Sequence, residues 1–363
     1  MDRYLALDAF RGLTIALMIL VITPGSWSYV YPQLLHADWH GLTVTDLVFP
    51  FFMFIIGSAM YFSFRKNNFQ PSGEILYRII KRSVIIFLLG LALNAFPTYE
   101  SFAELRFMSV LGRIGLAYGI AAILVLLMSR AGLWLTCAVI LFGYWLALAS
   151  VGENAYTLNE NLVRNVDLTL MGASHMWAGK GVAFDPEGLL STLPALVSIL
   201  AGFEATRMIT QCANPHQAIK RLLMCGFVAF ILGYLWSFYM PINKYLWTSS
   251  YVLITSAMAA WLLALFIWLT DIRGYQKVMI PLFVYGMNPL FIYVVAAIWT
   301  DCYKLINMTL ADHSTGDMRD FLFQQLSQWL SPVNASLFYA IAHVFIFWLV
   351  CLFLYKRNIV IRL

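Results

Sequence analysis

Residues 248–270 read TSSYVLITSAMAAWLLALFIWLT, 23 consecutive positions without a charged side chain. A helix of that length, rising about 1.5 Å per residue, covers the roughly 30 Å of hydrocarbon in a bilayer. Comparable runs recur in both directions along the 363-residue chain. Together they make the composition 61% apolar, 16% aromatic and only 11% charged, with a mean hydropathy of +0.77. A soluble domain carries roughly 25% charged residues, and a chain this poor in charge could not cover its apolar surface in water. The sequence therefore excludes a soluble enzyme and predicts an all-α, polytopic membrane protein.

About ten spans are expected, over 11–30, 43–64, 83–97, 109–128, 133–151, 189–209, 222–240, 248–270, 278–300 and 335–355, forming one transmembrane domain over 1–363. Basic residues orient such a chain, because Lys and Arg collect in cytoplasmic segments. With the N-terminus in the cytoplasm, six of the 23 Lys and Arg lie outside (Arg106, Arg164, Lys180, Lys244, Lys304 and Arg319) and Arg113 falls within a span. The other sixteen then lie on or beside cytoplasmic segments. An even number of spans returns the C-terminus, with Lys356 and Arg357, to the same side, so both termini are expected in the cytoplasm. No small-residue cleavage pattern precedes the first span, and no cleavable signal is expected. The net charge of +5 is mostly this same asymmetry, so the bilayer is the expected partner and nucleic acid is not. The five cysteines show neither a disulfide framework nor metal-ligand spacing, and no metal is expected.

Polar residues in or against a membrane are costly and therefore functional candidates. The densest group is HADWHGLTVTDLVFP, residues 36–50, at the entry to the second span. Thr43 with Asp46 three positions on is a capping-box variant, so Asp46 reads equally as a cap and as a site residue. His36 and His40 are spaced for one helical face, but Gly41 and the late cap argue for a loop, which makes a metal pair improbable. A loop histidine, with an ordinary pKa near about 6.5, suits a general base, although an exposed histidine is more often inert. FDPEG (184–188) precedes span 6: Asp185 is a good helix cap with Pro186 behind it, and Glu187 is harder to explain that way. PINKYLWTSS (241–250) carries Lys244 against the charge trend. YGMNPL (285–290) interrupts span 9 with Gly286 and Pro289, placing Asn288 at the break. Arg78, Lys81 and Arg82 cluster at the cytoplasmic entry to span 3, where attraction to anionic lipid is the ordinary explanation. Arg113, Glu204 and His343, inside spans, each need a polar partner.

The stretch HADWHGLTVTDLVFPFFMFIIG, followed in order by VLGRIGLAY, FDPEGLLSTLPA, PINKYLWTSSY and YGMNPL, resembles the transmembrane acetyltransferases typified by heparan-alpha-glucosaminide N-acetyltransferase. The motifs run from residue 7 to about residue 295, and the chain reads as a bacterial member, in the inner membrane, without the N-terminal extension of the lysosomal enzyme. The resemblance implies transfer of an acetyl group from cytoplasmic acetyl-CoA to the amine of a glucosamine-type acceptor on the opposite face. His36 matches the family's catalytic histidine, as general base or as acetyl carrier. Asp46, Arg113, Asp185, Glu187, Lys244 and Asn288 would line the pocket for the pantetheine end and the sugar. Arg78, Lys81 and Arg82 are candidates for the CoA phosphates. The family also implies a homodimer. One departure stands out: Ile22 and Thr23 occupy the place of an asparagine proposed to stabilise the oxyanion, so Thr23 or Asn288 would have to donate instead. A secondary transporter for an amino sugar is the alternative reading, distinguished by independence from CoA.

Overall fold

The computed structural model describes residues 4–97, 101–310 and 315–361. The helices in chain order are α1 (Leu5–Ile22), α2 (Val44–Arg65), α3 (Gly73–Ala95), α4 (Val110–Leu127), α5 (Arg130–Ala149), α6 (Leu162–Met171) and α7 (Thr192–Thr210). They continue with α8 (Pro215–Trp236), α9 (Ser249–Ile267), α10 (Ile280–Gly286), α11 (Pro289–Lys304), α12 (Met318–Ser327) and α13 (Pro332–Lys356). One short hairpin, Asn307–Thr309 with Thr315–Asp317, is the only sheet among the described residues.

Eight helices are long and apolar enough to cross a membrane, and the α10–α11 pair makes a ninth if counted as one broken span. The remaining span expected from the sequence, over 83–97, falls in α3, a helix of 23 residues that charge sets apart from the others. Its first ten residues include Glu74, Arg78, Lys81 and Arg82, so every 18-residue window carries three charges or more. Span 9 is not straight either: α10 and α11 meet at 80°, where Gly286 ends one helix and Pro289 opens the next with Asn288 at its cap position.

The fold divides into two compact units. One holds the described residues among Met1–Ala37, Thr43–Val48 and Arg273–Arg362; the other holds Asp38–Leu42 and Phe49–Ile272. In the first unit α1 and α10 run antiparallel in close approach. A methyl group on Gly12 would strike the Leu282 carbonyl, and one on Gly286 would strike that of Asp8. The segment after α1 is tied to the start of α13: Gly25 N–H donates to Ser336 O at 3.4 Å, and the Tyr31 hydroxyl to Asn334 Oδ1 at 2.7 Å. In the second unit α2 and α7 cross just as tightly, Gly57 against the Ile199 carbonyl and Gly202 against that of Phe54. Small residues permit this approach, and packing between close backbones drives helix association in lipid.

Candidate functional site

The first group of site residues lies where α1 ends and α2 begins. Pro32 opens a short turn that delivers His36, and Asp46 stands in the first turn of α2. His36 Nδ1 lies 2.7 Å from Asp46 Oδ1. The Asp46 side chain is inaccessible, whereas that of His36 is 41% exposed. The other carboxylate oxygen accepts the backbone N–H of Ala37 at 3.1 Å and of Thr43 at 3.0 Å. Asp46 is thus both things the sequence allowed: it returns the capping bond to Thr43 and it orients His36. With the carboxylate pinned as an acceptor, His36 carries its proton on Nδ1 and presents Nε2 as the basic nitrogen.

His40 has a different environment in the other unit. The Asn243 side-chain amide donates to His40 Nδ1 at 3.2 Å while its oxygen accepts Leu246 N–H at 2.8 Å. Burial holds the His40 pKa below the usual histidine range. His40 is accordingly a neutral structural tether, and the loop reading of 36–43 stands in place of a helical metal pair.

A second group surrounds Arg113. Asp185 and Glu187 are buried and share Arg106, which donates to the Asp185 oxygens at 2.7 and 2.8 Å and to Glu187 at 2.7 Å. Burial alone would raise the Glu187 carboxyl; Arg106, Lys244 and Arg113 outweigh it and hold Glu187 below the ordinary range. Burial works against the Arg106 charge as well, and the two carboxylates more than reverse that. Arg113 is fully buried, 4.9 Å above the Trp247 ring and 5.9 Å from that of Phe49. It donates to the Ser191 hydroxyl. Its Nε and Nη1 have no hydrogen-bond partner among the described residues. The Lys244 ammonium lies 5.8 Å from the Tyr245 ring centre.

Asp185 does not cap span 6, as the sequence suggested. The helix starts seven residues later, at Thr192, and the Asp185 carboxylate closes its own turn on Glu187 N–H at 3.0 Å. Two members of this group escaped the sequence reading. Arg106 counted only as one of six outside cations, and that exception to the charge trend was its sole signal. Asp167, on the short α6, is buried and accepts Leu189 N–H at 3.0 Å and Leu190 N–H at 3.3 Å. Burial pushes its carboxyl up to about 6.

A third group forms at the N-terminal half of α3. Arg78, Lys81 and Arg82 line one cavity of about 310 Å³ with Ser63 of α2, Asn67 of the turn that follows it and Tyr118 of α4. Their i, i+3, i+4 spacing puts all three on one helical face. Arg82 lies 5.0 Å over the Tyr118 ring, and Arg78 pairs with Glu74 at the exposed rim.

Asn288 does not join His36. It follows Gly286, which abuts Asp8 near the start of α1, whereas His36 follows the far end of that helix. Its amide is fully engaged with the C-terminal segment, donating to Ile359 O at 3.0 Å and accepting Ile361 N–H at 2.8 Å. The other stand-in donor, Thr23, turns its hydroxyl back onto Ile19 O at 2.8 Å.

Fold and charge define a multi-pass helical membrane protein with an oriented histidine and a separate basic cavity. A family described as "Domain of unknown function (DUF5009)" matches residues 3–99. Human heparan-alpha-glucosaminide N-acetyltransferase is 28% identical over 360 positions, covering 80% of this chain and 52% of the human protein. The mouse enzyme of the same name is 27% identical, covering 81% and 53%. The chain spans about half the length of the curated relatives it matches. It resembles the transmembrane acetyltransferases that those enzymes typify.

Proposed function

We propose that this chain is a membrane-embedded acetyltransferase that moves the acetyl group of acetyl-CoA to the amine of an amino sugar. The observation that carries the reading is the His36–Asp46 pair, an exposed imidazole held by an inaccessible carboxylate at 2.7 Å. In the reaction the acceptor nitrogen attacks the thioester carbonyl, His36 Nε2 takes the proton that the amine loses, the C–S bond breaks, and CoA leaves as the thiol after receiving that proton. Asp46 keeps Nε2 in the basic tautomer and offsets the charge of the imidazolium. Arg78, Lys81 and Arg82 supply cationic contacts for the CoA phosphates, which suit Lys as a point charge and Arg as a fork. The names of the human and mouse relatives support the acetyl donor and the glucosaminide acceptor class. The positive-inside count supports acetyl-CoA entry from the cytoplasmic face.

The test is direct. Purified protein in detergent is incubated with acetyl-CoA and glucosamine beside His36→Ala, and N-acetylglucosamine and free CoA are followed by mass spectrometry. Product from the wild type, lost in His36→Ala with CoA binding retained, is the expected result. Failure to bind CoA would overturn the reading. Sugar accumulation by CoA-free vesicles would favour a transporter, to which the bend between α10 and α11 is the structural feature in common.

A further inference from the structure

A second cavity lies in the unit that carries His36, at the C-terminal end of α1. Its volume is about 140 Å³, close to the roughly 150 Å³ cavity that admits a benzene molecule in an engineered core. It is therefore sized for one six-membered ring and far too small for a nucleotide. Trp27, Trp299, Tyr303 and Tyr339 provide flat apolar walls. The Trp299 and Tyr303 rings meet edge to face at 5.4 Å, and the Tyr339 ring lies 4.4 Å from that of His343.

The remaining lining is polar and incompletely paired. His343 is 3% exposed. Its Nδ1 is engaged by Tyr339 O at 2.9 Å, and its Nε2 has no hydrogen-bond partner among the described residues. The same holds for Arg319 Nε, although Arg319 Nη2 lies 3.6 Å from Asp317. An unmet buried donor or acceptor costs about 1–3 kcal/mol, so these groups favour a ligand rich in hydroxyls. Arg319 Nη2 also lies 3.4 Å from Asp320 Oδ1, so two carboxylates face one guanidinium, which disfavours a free phosphate. A neutral ring with an apolar face and a rim of hydroxyls, a pyranose, satisfies both halves of the lining.

We infer that this cavity is a saccharide subsite that holds one pyranose ring of the acceptor while His36 acts on another. The segment that supplies Thr23, Pro24 and Trp27 to the cavity continues to His36, and its tie to Ser336 and Asn334 fixes it on the helix that carries His343. Naming the ring as part of an acceptor rests on the acetyl-transfer reading; binding of the ring does not.

The experiment measures binding of D-glucosamine and of its β-1,4-linked disaccharide to the full chain in detergent, without acetyl-CoA, by calorimetry. The disaccharide should bind at least tenfold more tightly. That preference should vanish in Arg319→Ala and Trp299→Ala, survive in Arg319→Lys, and survive in His36→Ala; unchanged melting temperatures exclude misfolding. Disaccharide binding that is absent, or that is indifferent to Arg319→Ala and Trp299→Ala, overturns the inference. Intact Arg319-dependent binding in a protein that transfers no acetyl group would leave the subsite and remove the transfer reading. Transfer whose disaccharide KM ignores Arg319→Ala would do the reverse.

Discussion

Histidines four positions apart, His36 and His40, have opposite fates because of what each ring nitrogen meets. A carboxylate on Nδ1 leaves His36 basic at Nε2, while an amide donor on Nδ1 and burial keep His40 neutral. Asp46→Asn should therefore lower kcat by about 10²-fold or more, within the usual range for general-base catalysis, while the KM for acetyl-CoA stays within a factor of a few; steady-state kinetics on the two proteins check this. Asp167 gives a different prediction. Its carboxyl rises from an ordinary 3.8 to about 6 in the folded state, so the protonated form is favoured there. The associated stability is fully present below about pH 4 and is lost as pH rises through about 6, by about 3 kcal/mol at most. Asp167→Asn should thus melt progressively higher relative to wild type as pH climbs from 4 to 7, and a constant difference would refute the assignment. His36 and Asp46 were legible in the sequence because their geometry is local, a cap and a loop within eleven residues. The Arg106–Asp185 pair was not, since its partners are 79 positions apart and only tertiary packing brings them together.

Elements were legible where hydropathy alone decides them and less so where charge intrudes. The sequence began the third span at residue 83, yet α3 starts at Gly73, because a helical turn of Arg and Lys looks like a loop to a hydropathy window. Pro and Gly did reveal the break between α10 and α11. What no window shows is which glycines are contact points. Gly202 faces the Phe54 backbone, whereas Gly143 in α5 has nothing within 4 Å of where a Cβ would sit. Gly202→Ala should cost about 1–3 kcal/mol through overpacking; Gly143→Ala should be neutral or stabilising by up to about 1 kcal/mol. Thermal unfolding in detergent distinguishes the two. The basic row of α3 carries its own test. A hydrogen bond to a charged group contributes about 1.5–3 kcal/mol, so Arg82→Ala should weaken CoA binding roughly tenfold to a hundredfold. Turnover at saturating acetyl-CoA should change little.

At the scale of the whole molecule the decisive quantity is the division of charge across the membrane. Helices α5 and α8 bury only 22% of their apolar windows in the protein, against 72% for α7, so broad apolar faces remain for lipid to cover. A chain seated in this way is oriented by its Lys and Arg, and the topology expected from the sequence puts sixteen of them on the side of the N-terminus and six on the other. In that topology the basic α3 row belongs to the first group and His36 follows the far end of α1, so the proposed transfer would have a defined direction with respect to the bilayer. Acetyl-CoA carries several negative charges and does not cross lipid unaided. Sealed inside-out vesicles should consequently consume acetyl-CoA added to the medium and accumulate acetylated sugar in the lumen. Right-side-out vesicles should be silent until permeabilised. Equal activity in both preparations, or activity confined to the right-side-out form, would mean that the donor enters from the face opposite the α3 cavity, and the assignment of Arg78, Lys81 and Arg82 to CoA would fall with it.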